Sequence, residues 1–237
     1  MTYPGNRYPA SPPPDDRGGQ QGRTPIFNVP PVTLTFASLL AIVFGLLHLL
    51  PPDGQDFAAL YFSVVPTRIA AALETPFSLE GLWTAATLLT HAFIHFDGIH
   101  LIANVGFLLA FGSGCERALG VRRYLLLLVG SAVAGALVQT VFDWNDWVQM
   151  YGASGAVSGC VGGVVRLMAT DPLDPRRRRL ARNIVIALVG ANVIFALVGG
   201  ALFGLSGEIA WPAHLGGFAA GLLIARRPPP QRIDILV

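Results

Sequence analysis

The chain has 237 residues, of which 53% are hydrophobic and only 13% charged, and its mean hydropathy is +0.56. A soluble domain carries about 25% charged residues, so a water-soluble fold of this size is excluded. Two cysteines exclude a disulfide framework or a four-thiolate zinc site, and a net charge of +2 without a clustered basic-aromatic face argues against nucleic-acid binding. A polytopic membrane protein remains.

Residues 1–28 are rich in Pro, Gly and Arg and poor in apolar side chains, which predicts a disordered tail. No apolar h-region with a cleavage site precedes the first long apolar run, so no signal peptide is expected. Charge-free runs follow at 24–52, 98–115, 124–142, 147–165, 184–207 and 209–225. Most approach the 17–25 residues that a helix needs to cross about 30 Å of hydrocarbon. They predict an all-α membrane protein, a six-helix transmembrane bundle with helices over 31–50, 97–115, 122–142, 153–169, 182–204 and 211–226. The membrane domain is expected over 29–227 and a short tail over 228–237. The connection 51–95 is long for an unstructured loop, and its stretches Phe57–Val65 and Leu82–Leu89 suit a helical excursion lying in the interface.

All sixteen basic residues are arginine, and an even helix count puts fifteen of them on one side, with Arg68 alone on the other. The positive-inside rule then predicts that both termini are cytoplasmic, and the compact six-helix plan fits a bacterial inner membrane. Trp83, Trp144, Trp147 and Trp211 fall in or beside the outer connections, where indole rings suit the headgroup layer as anchors. Arg176 to Arg179 read as a charge cluster that sets topology and faces lipid headgroups. Cys115 and Cys160 read as buried apolar thiols.

Polar groups inside a bilayer are costly and point to function. Four stand out: His100, Asn104, Ser154 and His214. A lone Ser commonly bonds back to its own helix, and a lone Asn or His joins two helices. Depth separates these four from that reading. Asn104, Ser154 and His214 each lie twelve residues before a charge at the cytoplasmic border, namely Glu116, Arg166 and Arg226. At 1.5 Å per residue all three therefore sit at one level, roughly 18 Å above that border, and His100 is one turn from Asn104 on the same face.

Glycines surround two of them. Gly152-Ala153-Ser154-Gly155 continues into Gly159 and Gly163, and His214 precedes Gly216, Gly217 and Gly221. Such stripes let membrane helices approach backbone to backbone, near enough for a Ser–His hydrogen bond. His214 would then act as general base and Ser154 as nucleophile. The Ser154 N–H at its helix start, with His100 and Asn104, would stabilise the oxyanion. No carboxylate lies at this depth, so the pair is a dyad. Water must reach it: from Ser154 to Asp171-Pro172 the helix is only about 25 Å long, so the chain 143–151 must dip below the outer surface beside protein or water.

These residues resemble the rhomboid intramembrane serine proteases over about 31–226. His91-Ala92-Phe93-Ile94-His95-Phe96 leading to His100-x-x-x-Asn104 resembles the start of the family's second helix, and Gly112 through Glu116-Arg117 to Gly120 resembles its end. Gly152-Ala153-Ser154-Gly155 resembles the nucleophile motif, and Ala213-His214-x-Gly216 with Gly221 resembles the base helix. The resemblance implies Ser154 as nucleophile, His214 as base, His100 and Asn104 as oxyanion donors, and His95 as a structural or substrate-cavity residue beside Gly152. It implies a six-helix bundle whose cavity opens outward, with single-pass membrane proteins and lipid as partners, and no cofactor. Such clients have a helix that is locally unstable near the outer face and pass laterally by the fifth helix. Two departures stand out. Ser158 occupies a position where the family often has an aromatic residue, and Trp83 is followed by Thr84 in place of arginine.

Other classes make different demands. A silent relative that binds membrane clients usually lacks the nucleophile or base, and both are here. A transporter would carry repeat-related broken helices or paired carboxylates, and neither is present in the sequence. A metal site on His91, His95 and His100 is disfavoured because residues nine apart leave a helix on different faces.

Overall fold

Proline opens the helices. Its fixed φ suits the first helical turn, and its missing N–H is one that this turn would leave unpaired. In a computed structural model, which describes residues 28–144, 146–170, 175–198 and 210–226, α1 (Pro31–His48), α2 (Pro52–Phe62) and α3 (Pro66–Ala72) all begin this way. α4 (Leu79–Thr90) begins instead on Ser78, whose hydroxyl accepts the Gly81 N–H at 3.0 Å. Further on come α5 (Gly98–Phe107), α6 (Ser113–Leu119), α7 (Val121–Phe142), α8 (Ser154–Ala169), α9 (Pro175–Val198) and α10 (Trp211–Ile224). The chain is all-helical among the described residues; outside the helices, Val64 and Met150 form an isolated antiparallel bridge.

α1, the run Gly98–Leu119 and α7 are long and apolar enough to cross a membrane, while α8 and α10 are shorter apolar helices. The second predicted helix is one run with a widened π turn at Leu108–Gly112 between α5 and α6. That turn seats Gly112 against the Tyr124 hydroxyl, where a Cβ would collide. The fifth begins at Pro175 and not at 182, so Arg176 to Arg179 belong to the first turns of α9. Arginine is a good helix former, and charge counting places a helix end at the membrane border even where the helix projects beyond it. The predicted residues 199–204, with Gly199, Gly200 and Gly204, lie outside the described residues, as do 1–27 and 228–237.

The connection 51–95 carries α2, α3 and α4. The Trp83 indole N–H donates to the Tyr61 carbonyl at 3.0 Å, and its ring meets Phe62 edge-on at 5.5 Å. Arg68 donates to the Leu60 carbonyl at 2.7 Å and lies over the Tyr61 ring. α2 is thus pinned to α4 although no arginine follows Trp83.

The centre of the bundle is α8, packed between α7 and α10. Its residues from Gly155 to Gly163 are all buried. A Cβ on Gly217 would collide with the Gly155 carbonyl oxygen, and one on Gly221 with that of Gly159. The two backbones touch, which is the contact the glycine stripes predict. α1 is attached by polar means: both Glu116 oxygens, 5% exposed, accept N–H groups at its start, Val32 at 3.0 Å and Thr33 at 2.7 Å. The Thr33 hydroxyl donates to the same carboxylate at 2.7 Å.

Candidate active site

The helical run breaks after Thr90. A single 3-10 turn, His91–Phe93, leads into extended backbone at Ile94, and Asp97 then caps α5 by accepting the His100 N–H at 2.8 Å. This short irregular stretch sets two histidines inside the protein. His91 donates from Nδ1 to the Thr87 carbonyl at 2.9 Å, and its own carbonyl accepts the Gly152 N–H at 2.8 Å. Burial pulls its pKa down to about 4 against the carbonyls of Thr87 and Leu88, so the ring is neutral.

His95 is 0% exposed. Its Nε2 lies 3.2 Å from the Asn104 amide nitrogen and 3.3 Å from the Ala153 backbone nitrogen. Burial, followed by the charge of nearby His100, lowers its pKa to about 4. The rings of His95 and His100 meet at 5.0 Å. The Asn104 amide also donates to the His100 carbonyl at 3.1 Å. Gly152 completes the cluster with φ of +110°, a conformation that favours glycine. A Cβ there would come 2.8 Å from the His100 Nε2.

The chain between α7 and α8 reaches this cluster as irregular backbone, tied to protein at Met150 and Gly152. Met150 exchanges two hydrogen bonds with Val64, at 2.9 and 3.0 Å. Ser154, half-buried, is the first residue of α8. His214, also half-buried, lies in the first turn of α10. That turn is fixed from α7: the Gln139 side chain accepts the Ala213 N–H at 3.2 Å and donates to Asp143, and Phe142 meets Trp211 edge-on at 5.0 Å. The helices touch at Gly155 and Gly217, one residue after Ser154 and three after His214. Gly135 on α7 touches both sides, since a Cβ there would lie 2.8 Å from the Ala213 carbonyl oxygen and 3.3 Å from the Gly155 Cα. His100 and His214 are within electrostatic reach of each other.

The structure therefore joins His95, His100, Asn104 and Gly152 by direct contact, and sets Ser154 and His214 on adjoining helix ends. Among the described residues neither the Ser154 hydroxyl nor the His214 ring carries a hydrogen bond. Sequence reasoning missed Gln139, the Ala153 N–H and the His91 carbonyl. A glutamine inside an apolar helix was the one visible signal among these, since buried amides demand partners. Ser158 is buried on α8.

Fold and site define an integral membrane protein with a polar, histidine-rich site inside a helical bundle. A family model of the rhomboid domain matches residues 81–227, more than half of the chain, and the chain belongs to the rhomboid family. It is 25% identical to the rhomboid protease GluP of Bacillus subtilis (strain 168) over 197 residues, which cover 83% of this chain and 34% of that protein. It is 26% identical to the rhomboid protease AarA of Providencia stuartii over 215 residues, 82% of this chain and 70% of that protein. It is 31% identical to the rhomboid protease GlpG of Yersinia pestis (strain Pestoides F) over 139 residues, 57% of this chain and 45% of that protein. The chain thus spans about a third of GluP and less than half of that GlpG.

Proposed function

We propose that the chain is an intramembrane serine endopeptidase that cleaves peptide bonds in or beside membrane spans of other proteins. Six helices cross the bilayer: α1, the run Gly98–Leu119, α7, α8, α9 and α10, within a membrane domain over 29–227. Both termini face the cytoplasm, and the site opens to the other side of a bacterial inner membrane.

His214 takes the Ser154 proton as the hydroxyl oxygen attacks the scissile carbonyl. The oxyanion forms near the Ser154 N–H, which α8 leaves unpaired at its start, and near the His100 ring. Asn104 joins when one amide N–H leaves the His100 carbonyl, so that hydrogen bond is gained only as charge develops. The protonated His214 gives its proton to the leaving amine. Water, activated by the same ring, then releases the acyl group and restores Ser154. The client span has to unwind locally before Ser154 can reach a backbone carbonyl, so Gly, Pro or small polar residues near the scissile bond favour cleavage.

The observation that supports this reading most is the backbone contact of Gly155 with Gly217, which brings the Ser154 and His214 helix ends together beside His100. The test is co-expression of a reporter carrying a helix-destabilised single span with wild type, Ser154→Ala or His214→Ala. Wild type is expected to release product, and each variant to lose at least about 10³-fold at normal accumulation. Product that persists with Ser154→Ala removes the nucleophile. An unlabelled Ser154 under a serine-directed fluorophosphonate, together with no product from any client tried, identifies a silent client-binding relative.

A further inference from the structure

Two hydrogen bonds end on one buried atom, and their donors can be assigned without seeing a hydrogen. The Ala153 backbone nitrogen can only donate. The His95 Nε2 that it meets at 3.3 Å therefore carries a lone pair, and the ring proton is on Nδ1. The Asn104 group facing the same Nε2 at 3.2 Å must then be the NH2 end of the amide. The hydrogen-bond pattern thus fixes which end of the Asn104 amide faces the ring. The second Asn104 N–H goes to the His100 carbonyl. His95 is completely buried, so no water can replace its lone pair.

We propose that His95 is the positioning residue of the site: its Nε2 lone pair holds the Asn104 amide and the Ala153 N–H together, fixing the oxyanion donor against the residue that leads into Ser154. This rests on the protease reading above. Without that acceptor the Asn104 amide is free to turn over and present Oδ1, an acceptor, to the developing oxyanion. At the same time the turn before α8 loses its tie to the 91–96 segment, 58 residues away in sequence. Both consequences act on the transition state, so kcat falls and KM stays within a few-fold. Among the described residues ring Nδ1 has no hydrogen-bond partner, so only the Nε2 position needs to be reproduced.

The test compares three variants. In His95→Gln the amide oxygen reaches the position of Nε2. In His95→Asn the side chain stops at the position of Nδ1, and His95→Phe keeps the ring shape with no acceptor. Cleavage of the reporter by purified protein in vesicles is expected to fall about 10²-fold with Asn and Phe, the effect of one lost oxyanion donor, and to recover with Gln to within about tenfold of wild type. In an Asn104→Ala background the His95→Asn loss should shrink to the part carried by the Ala153 tie, because the part that acts through the Asn104 amide is already gone. Equal defects in the Gln and Phe variants at equal folded fraction, or losses that simply multiply with Asn104→Ala, overturn the proposal. A second measurement stands apart from activity. Histidine ¹⁵N chemical shifts of the wild-type protein in membranes, assigned by comparison with His95→Gln, must show a neutral ring with the proton on Nδ1. A proton on Nε2 overturns the proposal even if the protease reading holds. The expected tautomer together with an inactive wild type rejects the protease reading and leaves the His95 geometry standing.

Discussion

α1 and α8 are apolar helices of similar length, 18 and 16 residues, attached to the bundle in opposite ways. α8 is buried along nearly its whole length by backbone contact with α7 and α10. α1 buries only Thr33, Ala37, Leu40 and Leu47, leaves Leu34, Leu39, Ile42 and Leu46 exposed, and is tied at its start by the carboxylate of Glu116. A bilayer gives little hydrophobic drive for one helix to prefer another over lipid. Attachment then comes from close packing or from a hydrogen bond that lipid cannot offer. α8 uses the first and α1 the second. The proposed chemistry sits at the end of the closely packed set, where the position of a nucleophile is set by backbone and not by side-chain rotamers.

The largest expected effect breaks the α8 mode. Gly217→Leu places a branched side chain where the Gly155 carbonyl already sits, and backbone cannot give way as a flexible side chain would. Overpacking costs about 1–3 kcal/mol and sometimes more, and this contact belongs at or above the top of that range. Reversible unfolding in mixed micelles should show it, with cleavage lost in parallel. Next comes the α1 mode. Glu116→Ala removes the acceptor of two backbone N–H groups and the Thr33 hydroxyl, and each buried donor left unsatisfied costs about 1–3 kcal/mol. A loss of about 3 kcal/mol is expected, with α1 becoming sensitive to protease before α8. If both helices are released together, the two modes are not independent.

The segment between the two regions responds to pH. His91 and His95 have values near 4 in the folded chain, below the ordinary 6.5. The unfolded chain therefore binds these protons first. Their stabilisation is complete above about pH 6.5, is lost as pH falls through that window, and is gone below about 4. At pH 5 each ring should have given up about 2 kcal/mol. Unfolding midpoints measured from pH 7 to 5 should fall, and His95→Gln should flatten the slope. An unchanged slope in that variant would mean that His95 is not buried as a neutral ring.

Much of this arrangement is legible in the sequence, and the illegible part has a physical cause. Apolar run length locates α1, α7, α8 and α10 because an apolar helix is set by local composition. Depth counting from border charges singles out His100, Asn104, Ser154 and His214, since rise per residue is fixed in a helix. Glu116 serves in that counting only as a border mark. Its partners lie 83 and 84 residues away, and nothing local distinguishes a carboxylate at the interface from one turned inward to a helix start. Gln139 is hidden in the same way, because its partner Ala213 is 74 residues distant. The π turn at Leu108–Gly112 answers to Tyr124 on the next helix, so the sequence of α5 alone does not announce it.

The smallest expected effect makes the comparison sharpest, because a single methyl group tests both modes. A Cβ on Gly45, in α1, meets nothing within 4 Å, whereas one on Gly221, in α10, collides with the Gly159 carbonyl. Gly45→Ala should change stability by less than about 1 kcal/mol, in the stabilising sense that the alanine preference for helix gives. Gly221→Ala adds the same atoms and should destabilise by about 1–3 kcal/mol, with reporter cleavage falling as α10 is pushed off α8. Unfolding both variants in the same mixed micelles removes any difference in the lipid environment. Equal losses at the two positions would mean that α1 has a closely packed face after all, and that Glu116 is not what holds it. A loss at Gly221 alone would show that the bundle tolerates new volume at its edge and rejects it where the proposed nucleophile and base are positioned.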